Sequence, residues 1–149
     1  MKTEPGTFSV EDLAAAPRAT TSWDGVRNYQ ARNMLRDEMK KGDLAFLYYS
    51  STEVPGVAAV IEIVKDGYPD PTAFDKKHHH YDPESDPASP RWFMVDVRLK
   101  RRLKRVIALT ELRAHATKEL KGMVLLRPGN RLSVTPVEEA HWKFILALE

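Results

Sequence analysis

The stretch from Ser22 to Leu35, which reads SWDGVRNYQARNML, brings an aromatic ring, a turn and a run of amide and guanidinium groups together. Asp24-Gly25 predicts a sharp turn after Trp23, because glycine tolerates positive φ and aspartate supports turns. Asn28 can then cap a helix, whose first turn offers unpaired N–H donors and a positive dipole end. A flat indole beside such donors suits a planar, hydrogen-bonding, anionic ligand such as a nucleotide. Alternatively, Trp23 is a core residue and its polar neighbours only tie down the turn.

Positive charge is concentrated in a second segment. Six basic residues lie between positions 98 and 105, whereas residues 66 to 86 are acidic and rich in proline. The formal net charge of +2 is too small to indicate a nucleic-acid partner by itself. Such a cluster can contact phosphates, but it is also the usual composition of a solvated face or hairpin end. The basic residues are Arg98, Lys100, Arg101, Arg102, Lys104 and Arg105.

Residues for covalent or metal-assisted catalysis do not fall into recognisable patterns. The chain has no cysteine, and it lacks the G-x-S-x-G, H-E-x-x-H and glycine-rich phosphate-loop motifs. His78-His79-His80 is a weak metal candidate, because adjacent side chains point in different directions and the spacing of zinc ligands is absent. The sequence therefore predicts no metal and no cofactor. A hydrolase with Glu4 or Asp24 as general base is the remaining enzyme hypothesis.

Composition also bears on the compartment. The absence of cysteine is typical of an intracellular protein, and no apolar run approaches the length of a membrane span. The opening residues MKTEP carry no secretory-signal pattern. We therefore expect a soluble protein without a membrane partner, cytoplasmic, or nuclear if its source is eukaryotic. We also expect it to be a monomer.

The helices that must position these residues are short. Capping patterns predict one helix after Ser9, a second from Asn28, and a C-terminal helix begun by Thr135-Pro136. Lys2-Thr3-Glu4-Pro5 predicts a clipped opening strand, because proline cannot donate to a sheet ladder.

The strands are predicted from apolar runs and alternation. Residues 44–50 and 57–64 predict an antiparallel hairpin, and 91–99 predicts a strand that the basic segment continues. Residues 131–134 predict a last strand. The proline- and aspartate-rich stretch 65–90 is too long for an ordinary connection and is typical of a functional loop. The predicted class is α+β, a single domain over residues 1–149 with a curved, mainly antiparallel sheet or barrel flanked by helices.

Short motifs run in order through almost the whole chain: Lys2-Thr3-Glu4-Pro5, Trp23, Gly25 to Asn33, Lys41-Gly42-Asp43, Phe46 to Ser50, Pro55-Gly56-Val57, Tyr68-Pro69-Asp70, Tyr81-Asp82-Pro83, Arg91-Trp92, Val95-Asp96-Val97 and Arg131 to Val134. Together they resemble the EVE domain, a member of the PUA-like superfamily related to the YTH domains that read methylated adenine. The GVRNYQARN run is the most specific part. Thr3 departs from the usual serine but keeps its hydroxyl, and the aromatic and apolar residues that usually precede this motif are absent.

The resemblance implies a barrel-like fold whose pocket receives a single nucleobase, often a modified one. It assigns Trp23 to one wall, by its match to the cage tryptophan of the relatives, and we expect Trp92 or Tyr68 opposite. We then expect Trp23→Ala to remove modification-dependent binding without unfolding the protein, because it would remove a pocket wall and not the core. The candidates for hydrogen bonds to the base edge are Thr3, Asn28 and Ser50. The candidates for phosphate contacts are Arg27, Arg32, Arg98, Arg101 and Arg102.

The expected function is a non-catalytic module that binds DNA or RNA carrying methylated or hydroxymethylated cytosine, or methyladenine. A nuclease or a modification enzyme is a possible partner in the cell. Two alternatives remain open: a hydrolase or other enzyme acting on modified nucleotides, and a protein-interaction module that uses the acidic loop.

Overall fold

A computed structural model describes all residues from 1 to 149. Its strands are β1 (Lys2–Thr3), β2 (Thr20–Ser22), β3 (Leu44–Tyr49), β4 (Gly56–Pro69) and β5 (Phe93–Ala108). They form one sheet in the order β1-β3-β4-β5-β2, in which β1 and β3 are parallel and all other pairs antiparallel. The predicted α+β class with a mainly antiparallel sheet is confirmed. The sheet stays open, with β1 and β2 at its edges, so the barrel alternative does not form.

The central strands are covered on both faces, as the continuous apolar run of β3 predicts. Alternate side chains of a strand point to opposite faces, and Phe46, Leu47 and Tyr48 accordingly divide between two cores. One core includes Leu13, Leu35, Leu47, Ile61 and Val97. The other includes Phe46, Val60, Ile107, Leu112 and Ile145.

The helices are α1 (Val10–Ala15), α2 (Tyr29–Asn33), α3 (Leu109–Arg113) and α4 (Glu139–Ala147). Two predicted caps are confirmed: Ser9 forms a capping box with Asp12, and the Asn28 side chain accepts from the Ala31 amide at 3.0 Å. α2 passes into a π-helical turn at Met34–Glu38. 3₁₀ turns occupy Pro17–Ala19, Pro71–Phe74 and Val124–Leu126. No helix is long and apolar enough to cross a membrane.

Three predicted boundaries are wrong. β4 continues to Pro69, because its bulged pairing with β5 satisfies the backbone of residues 65–69 although their side chains do not alternate. The connection to β5 therefore begins only at Asp70. Residues 131–134 form no strand; the Lys2 amide donates to the Ser133 carbonyl. α4 begins at Glu139 because the backbone before it is still extended.

Candidate functional site

The turn after β2 is held from two sides. The Trp23 amide donates to the Val95 carbonyl of β5 at 2.8 Å. Gly25 has φ of +79°, a left-handed conformation that glycine adopts without steric cost. Its amide donates to Asp70 Oδ2 at 2.9 Å. The predicted Asp24-Gly25 turn is therefore present, and a carboxylate directly after β4 fixes it in place.

Asp70 is fully buried and forms an ion pair with Arg27 at 3.0 Å. The guanidinium also donates to two backbone carbonyls, including that of His80, and to the Thr72 hydroxyl. Burial acts to raise the pKa of Asp70, but hydrogen bonds from Thr72, Gly25 and Arg27 outweigh it and leave the pKa below its usual value. All five N–H donors of Arg27 have protein acceptors. In this arrangement Arg27 ties the segment around His80 to the turn and keeps no free donor for a phosphate.

A cleft of about 570 Å³ opens beside the turn, a volume within the usual range of roughly 300–1,000 Å³ for ligand sites. Its wall includes Trp23, which is only 9% exposed and belongs to the core. The idea that this residue lies outside the core is therefore wrong. The other residues that line the cleft are mostly polar and include Thr3, Glu4, Ser22, Asp24, His78, His79 and His80.

The three histidines gather into a stack instead of pointing apart. The ring centroids of His78 and His79 are 4.6 Å apart with the planes 17° from parallel, and those of His79 and His80 are 3.9 Å apart. Nitrogen lone pairs lie in the ring planes, so the nearly parallel rings of His78 and His79 do not aim theirs at a common point. The His80 ring is tilted from these two by 37° and 45°. This arrangement favours an aromatic surface over a metal centre, although the ligand atoms lie within 4.8 Å of one another.

His80 occupies space that a side chain at position 25 would need. A Cβ added at Gly25 would clash with the His80 ring. Burial, and then the nearby charge of His79, lower the pKa of His80. Its Nδ1 is buried without a hydrogen-bond partner. The glycine therefore serves both the turn and the close approach of the histidine loop.

The two aromatic residues expected opposite Trp23 lie elsewhere. Trp92 stacks on Tyr29 at 4.9 Å and donates to Asp82 at 2.6 Å. The Tyr68 hydroxyl binds Ser22 and Asp96. Neither ring lines the cleft.

Of the three candidates for base-edge contacts, the structure brings only Thr3 to the cleft. Its hydroxyl donates to the Phe8 carbonyl at 2.8 Å, which leaves the oxygen lone pairs to accept. Asn28 is used as the cap of α2. Ser50 lies on a different cleft with Lys2.

The other candidate phosphate ligands are in protein contacts. Arg32 donates to the Arg91 carbonyl and lies over the Tyr29 ring. The remaining three form ion pairs with carboxylates: Arg98 with Glu62, Arg101 with Glu149 and Arg102 with Glu11.

The sequence did not predict that the histidine stack lines the cleft beside Trp23. The usable signal was the length of the 65–90 connection, which predicts a functional loop but not which part of it returns to Trp23. That return depends on the contacts of Arg27 with Asp70 and the His80 carbonyl, which are 43 and 53 residues away in sequence.

Comparisons with known proteins agree with this architecture. The family model described as EVE domain matches residues 1–148. Human thymocyte nuclear protein 1 is 49% identical over 148 residues, covering 95% of this chain and 65% of that protein. The chain thus spans somewhat less than two thirds of the curated relatives it matches.

The fold of this chain also resembles solved structures. The crystal structure of the human THYN1 protein in complex with 5-methylcytosine-containing DNA has a TM-score of 0.94 and 47% identity, covering 99% of this chain and 94% of that one. A crystal structure from Pseudomonas syringae has a TM-score of 0.92 and 42% identity, covering 99% and 96%. With the fold, the turn and the family model in agreement, the chain belongs to the EVE domain family.

Proposed function

We propose that this chain binds DNA containing 5-methylcytosine and holds the single modified base in the cleft between Trp23 and the histidine stack. The observation that carries the proposal is its likeness, at a TM-score of 0.94, to a human protein crystallised with DNA of that kind. The cleft supplies the right setting, since its lining includes the aromatic side chains of Trp23, His78, His79 and His80.

Stacking supplies the energy for taking the base out of the duplex. Extrusion costs a few kcal/mol, and stacking on an aromatic side chain recovers about 1–3 kcal/mol per base. The exposed part of the Trp23 indole and the rings of His78 and His79 are the surfaces available for this. Trp92 and Tyr68, whose rings point elsewhere, keep no role in the proposed pocket.

Hydrogen bonds at the rim favour a base with an exocyclic amino group. Glu4, Asp24 and the Thr3 oxygen are acceptors that line the cleft, and carboxylates accept well from the cytosine N4 amino group. The added methyl group contributes about 0.8 kcal/mol when buried, which corresponds to roughly fourfold discrimination from burial alone. Larger discrimination would require a close fit around the methyl group.

The module is proposed to bind without chemistry. The hydrolase alternative stays open. A general base must reach its substrate, and the two candidate bases, Glu4 and Asp24, both line the cleft. Incubation with the modified strand and analysis of the products separates the two, since an enzyme releases product and a reader returns the strand intact. Binding to RNA, a nuclease or modification-enzyme partner and a monomeric state stay predictions.

The test is a fluorescence titration with matched oligonucleotides that carry 5-methylcytosine, 5-hydroxymethylcytosine, N6-methyladenine or unmodified bases, at fixed low salt. The chain has 3 tryptophans to report binding, and Trp23 lines the proposed site. We expect saturable quenching at lower concentration with 5-methylcytosine than with cytosine. Equal, salt-sensitive quenching by every strand would contradict a base-specific site.

A paired variant tests the histidine wall. His79→Ala removes an exposed ring from the cleft, and we expect the affinity for the methylated strand to fall about fivefold or more, the lower limit for a lost stacking contact. His115→Ala is the matched control, because His115 lies outside the cleft beside Glu119. If the two variants bound the methylated strand with equal affinity, the histidines would not form part of the binding pocket.

A further inference from the structure

Another, smaller cleft shares Lys2 of β1 with the first, and its chemistry is unlike that of the first. Its volume is about 260 Å³, below the usual range for sites that enclose a whole small molecule. Lys2, Arg113 and Arg127 line it, and no carboxylate does. The first cleft, by contrast, includes Glu4 and Asp24.

The cations of this cleft have no partners within the protein. Neither Lys2, Arg113 nor Arg127 forms a side-chain hydrogen bond or an ion pair, whereas the arginines of the basic segment do: Arg98, Arg101, Arg102 and Arg105 are each held by a glutamate. Burial lowers the pKa of Lys2, so its charged form would gain from a nearby anion.

Neutral donors accompany the charges. Asn130 lines the cleft, and its Nδ2 is buried without a hydrogen-bond partner. Ser50 and Ser51 add hydroxyl groups. Three cations with amide and hydroxyl donors, and no competing carboxylate, match the needs of a phosphate group.

The two clefts are neighbours. Lys2, in the two-residue strand β1, lines both of them. A nucleic-acid strand that places one base in the first cleft would therefore carry its backbone past the second. Phosphate contacts orient a strand on a protein without reading its sequence.

We propose that Lys2, Arg113 and Arg127 form the phosphate site that receives the backbone of the strand whose modified base enters the first cleft. The inference rests on the proposed function for its ligand. It takes the place of the arginines of the basic segment as the principal electrostatic contact, because each of those arginines is already paired with a glutamate.

The test compares two double variants with the same loss of charge. Arg113→Gln with Arg127→Gln removes two of the three cations of the cleft, and Arg101→Gln with Arg102→Gln removes two cations of the basic segment. All four side chains are exposed, so both proteins are expected to fold. Affinity for the 5-methylcytosine strand and its unmodified control is measured over a series of salt concentrations.

We expect the slope of log K against log[salt] to become shallower by about 1.4–1.8 in the Arg113/Arg127 variant, the value for two lost phosphate contacts. The slope of the Arg101/Arg102 variant should match the wild type. A wild-type slope in the Arg113/Arg127 variant would overturn the proposal. The ratio of affinities for methylated and unmodified strands in the wild type tests the base site separately, so failure of one result does not conceal the other.

Inorganic phosphate is the second arm. At equal ionic strength, sodium phosphate should raise the unfolding temperature of the wild type above its value in sodium chloride, and the Arg113/Arg127 variant should lose this rise. Phosphate stabilisation with an unaltered DNA slope would assign the cleft to a free phosphate ligand and overturn its assignment to the strand. If neither the phosphate stabilisation nor the change in DNA slope were observed, the cleft would not be an anion site.

Discussion

Trp23 belongs to both the core and the cleft. Its amide donates to the Val95 carbonyl, the residue is only 9% exposed, and it lines the cleft. The arrangement gives a stacking surface a fixed orientation, since the rest of the ring is held by packing. It also means that removal of the side chain cannot test binding alone.

We expect Trp23→Ala to lower the free energy of unfolding by about 3–5 kcal/mol, the cost of deleting a buried aromatic side chain. Urea denaturation measures this change. Val54→Ala is a control, because Val54 is 56% exposed. A stability equal to that of the control would show that the indole contributes nothing to the core.

Asp70 gives a second prediction at this scale. Asp70→Ala leaves the Arg27 guanidinium without its counter-charge and Gly25 without its acceptor, so we expect a loss of about 3–5 kcal/mol of stability. Asp37→Ala, which breaks the solvent-exposed pair with Arg36, should have little effect. Equal unfolding midpoints for the two variants would contradict a structural role for the buried pair.

The histidine loop is positioned by elements far from it in sequence. Arg27, just before α2, binds the His80 carbonyl, and Asp70, just after β4, binds Arg27. The loop is therefore coupled to the turn through one guanidinium. Because burial lowers the pKa of His80, the unfolded chain binds a proton near pH 6.5 that the folded chain does not yet bind.

This element is expected to make stability depend on pH. The contribution of His80 is complete above about pH 6.5 and decreases as the pH falls towards the lower pKa of the folded state. Burial also lowers the pKa of the Met1 amino group to about 5, which acts in the same direction in every variant. The free energy of unfolding should therefore fall less between pH 7 and pH 5 in His80→Gln than in the wild type or His115→Gln. If the free energy of unfolding fell by the same amount in all three proteins, the pH dependence would not come from His80.

At the scale of the whole molecule, the sheet separates two hydrophobic cores that have different roles. The core that contains Trp23 also holds the buried residues of α1 and α2, whereas Ile145 of α4 packs in the other core with Leu112. The site therefore depends directly on one of the two cores. The other stabilises the sheet from its opposite face.

Ile145→Ala should separate stability from binding. We expect a loss of about 2–5 kcal/mol, since Ile145 is fully buried. The ratio of dissociation constants for the methylated and unmodified strands, measured far below the unfolding midpoint, should stay at its wild-type value. A change in this ratio would show that the two cores are coupled.

The sequence by itself determined the local elements and the family. The caps at Ser9 and Asn28, the turn at Asp24-Gly25 and the hairpin of β3 and β4 follow from short-range hydrogen bonding and from apolar patterns, which act over a few residues. The motif order was enough to indicate the EVE domain, which the family model confirms.

Only the tertiary structure decided which groups meet. It placed the histidine stack in the cleft with Trp23 and directed Trp92 towards Tyr29. It also paired the arginines of the basic segment with glutamates while leaving Arg113 and Arg127 unpaired. These tertiary contacts join residues that are tens of positions apart in sequence. Neither local propensity nor residue spacing predicts them. A residue type can thus predict a chemistry, but the partners that satisfy or release its donors are set by the fold.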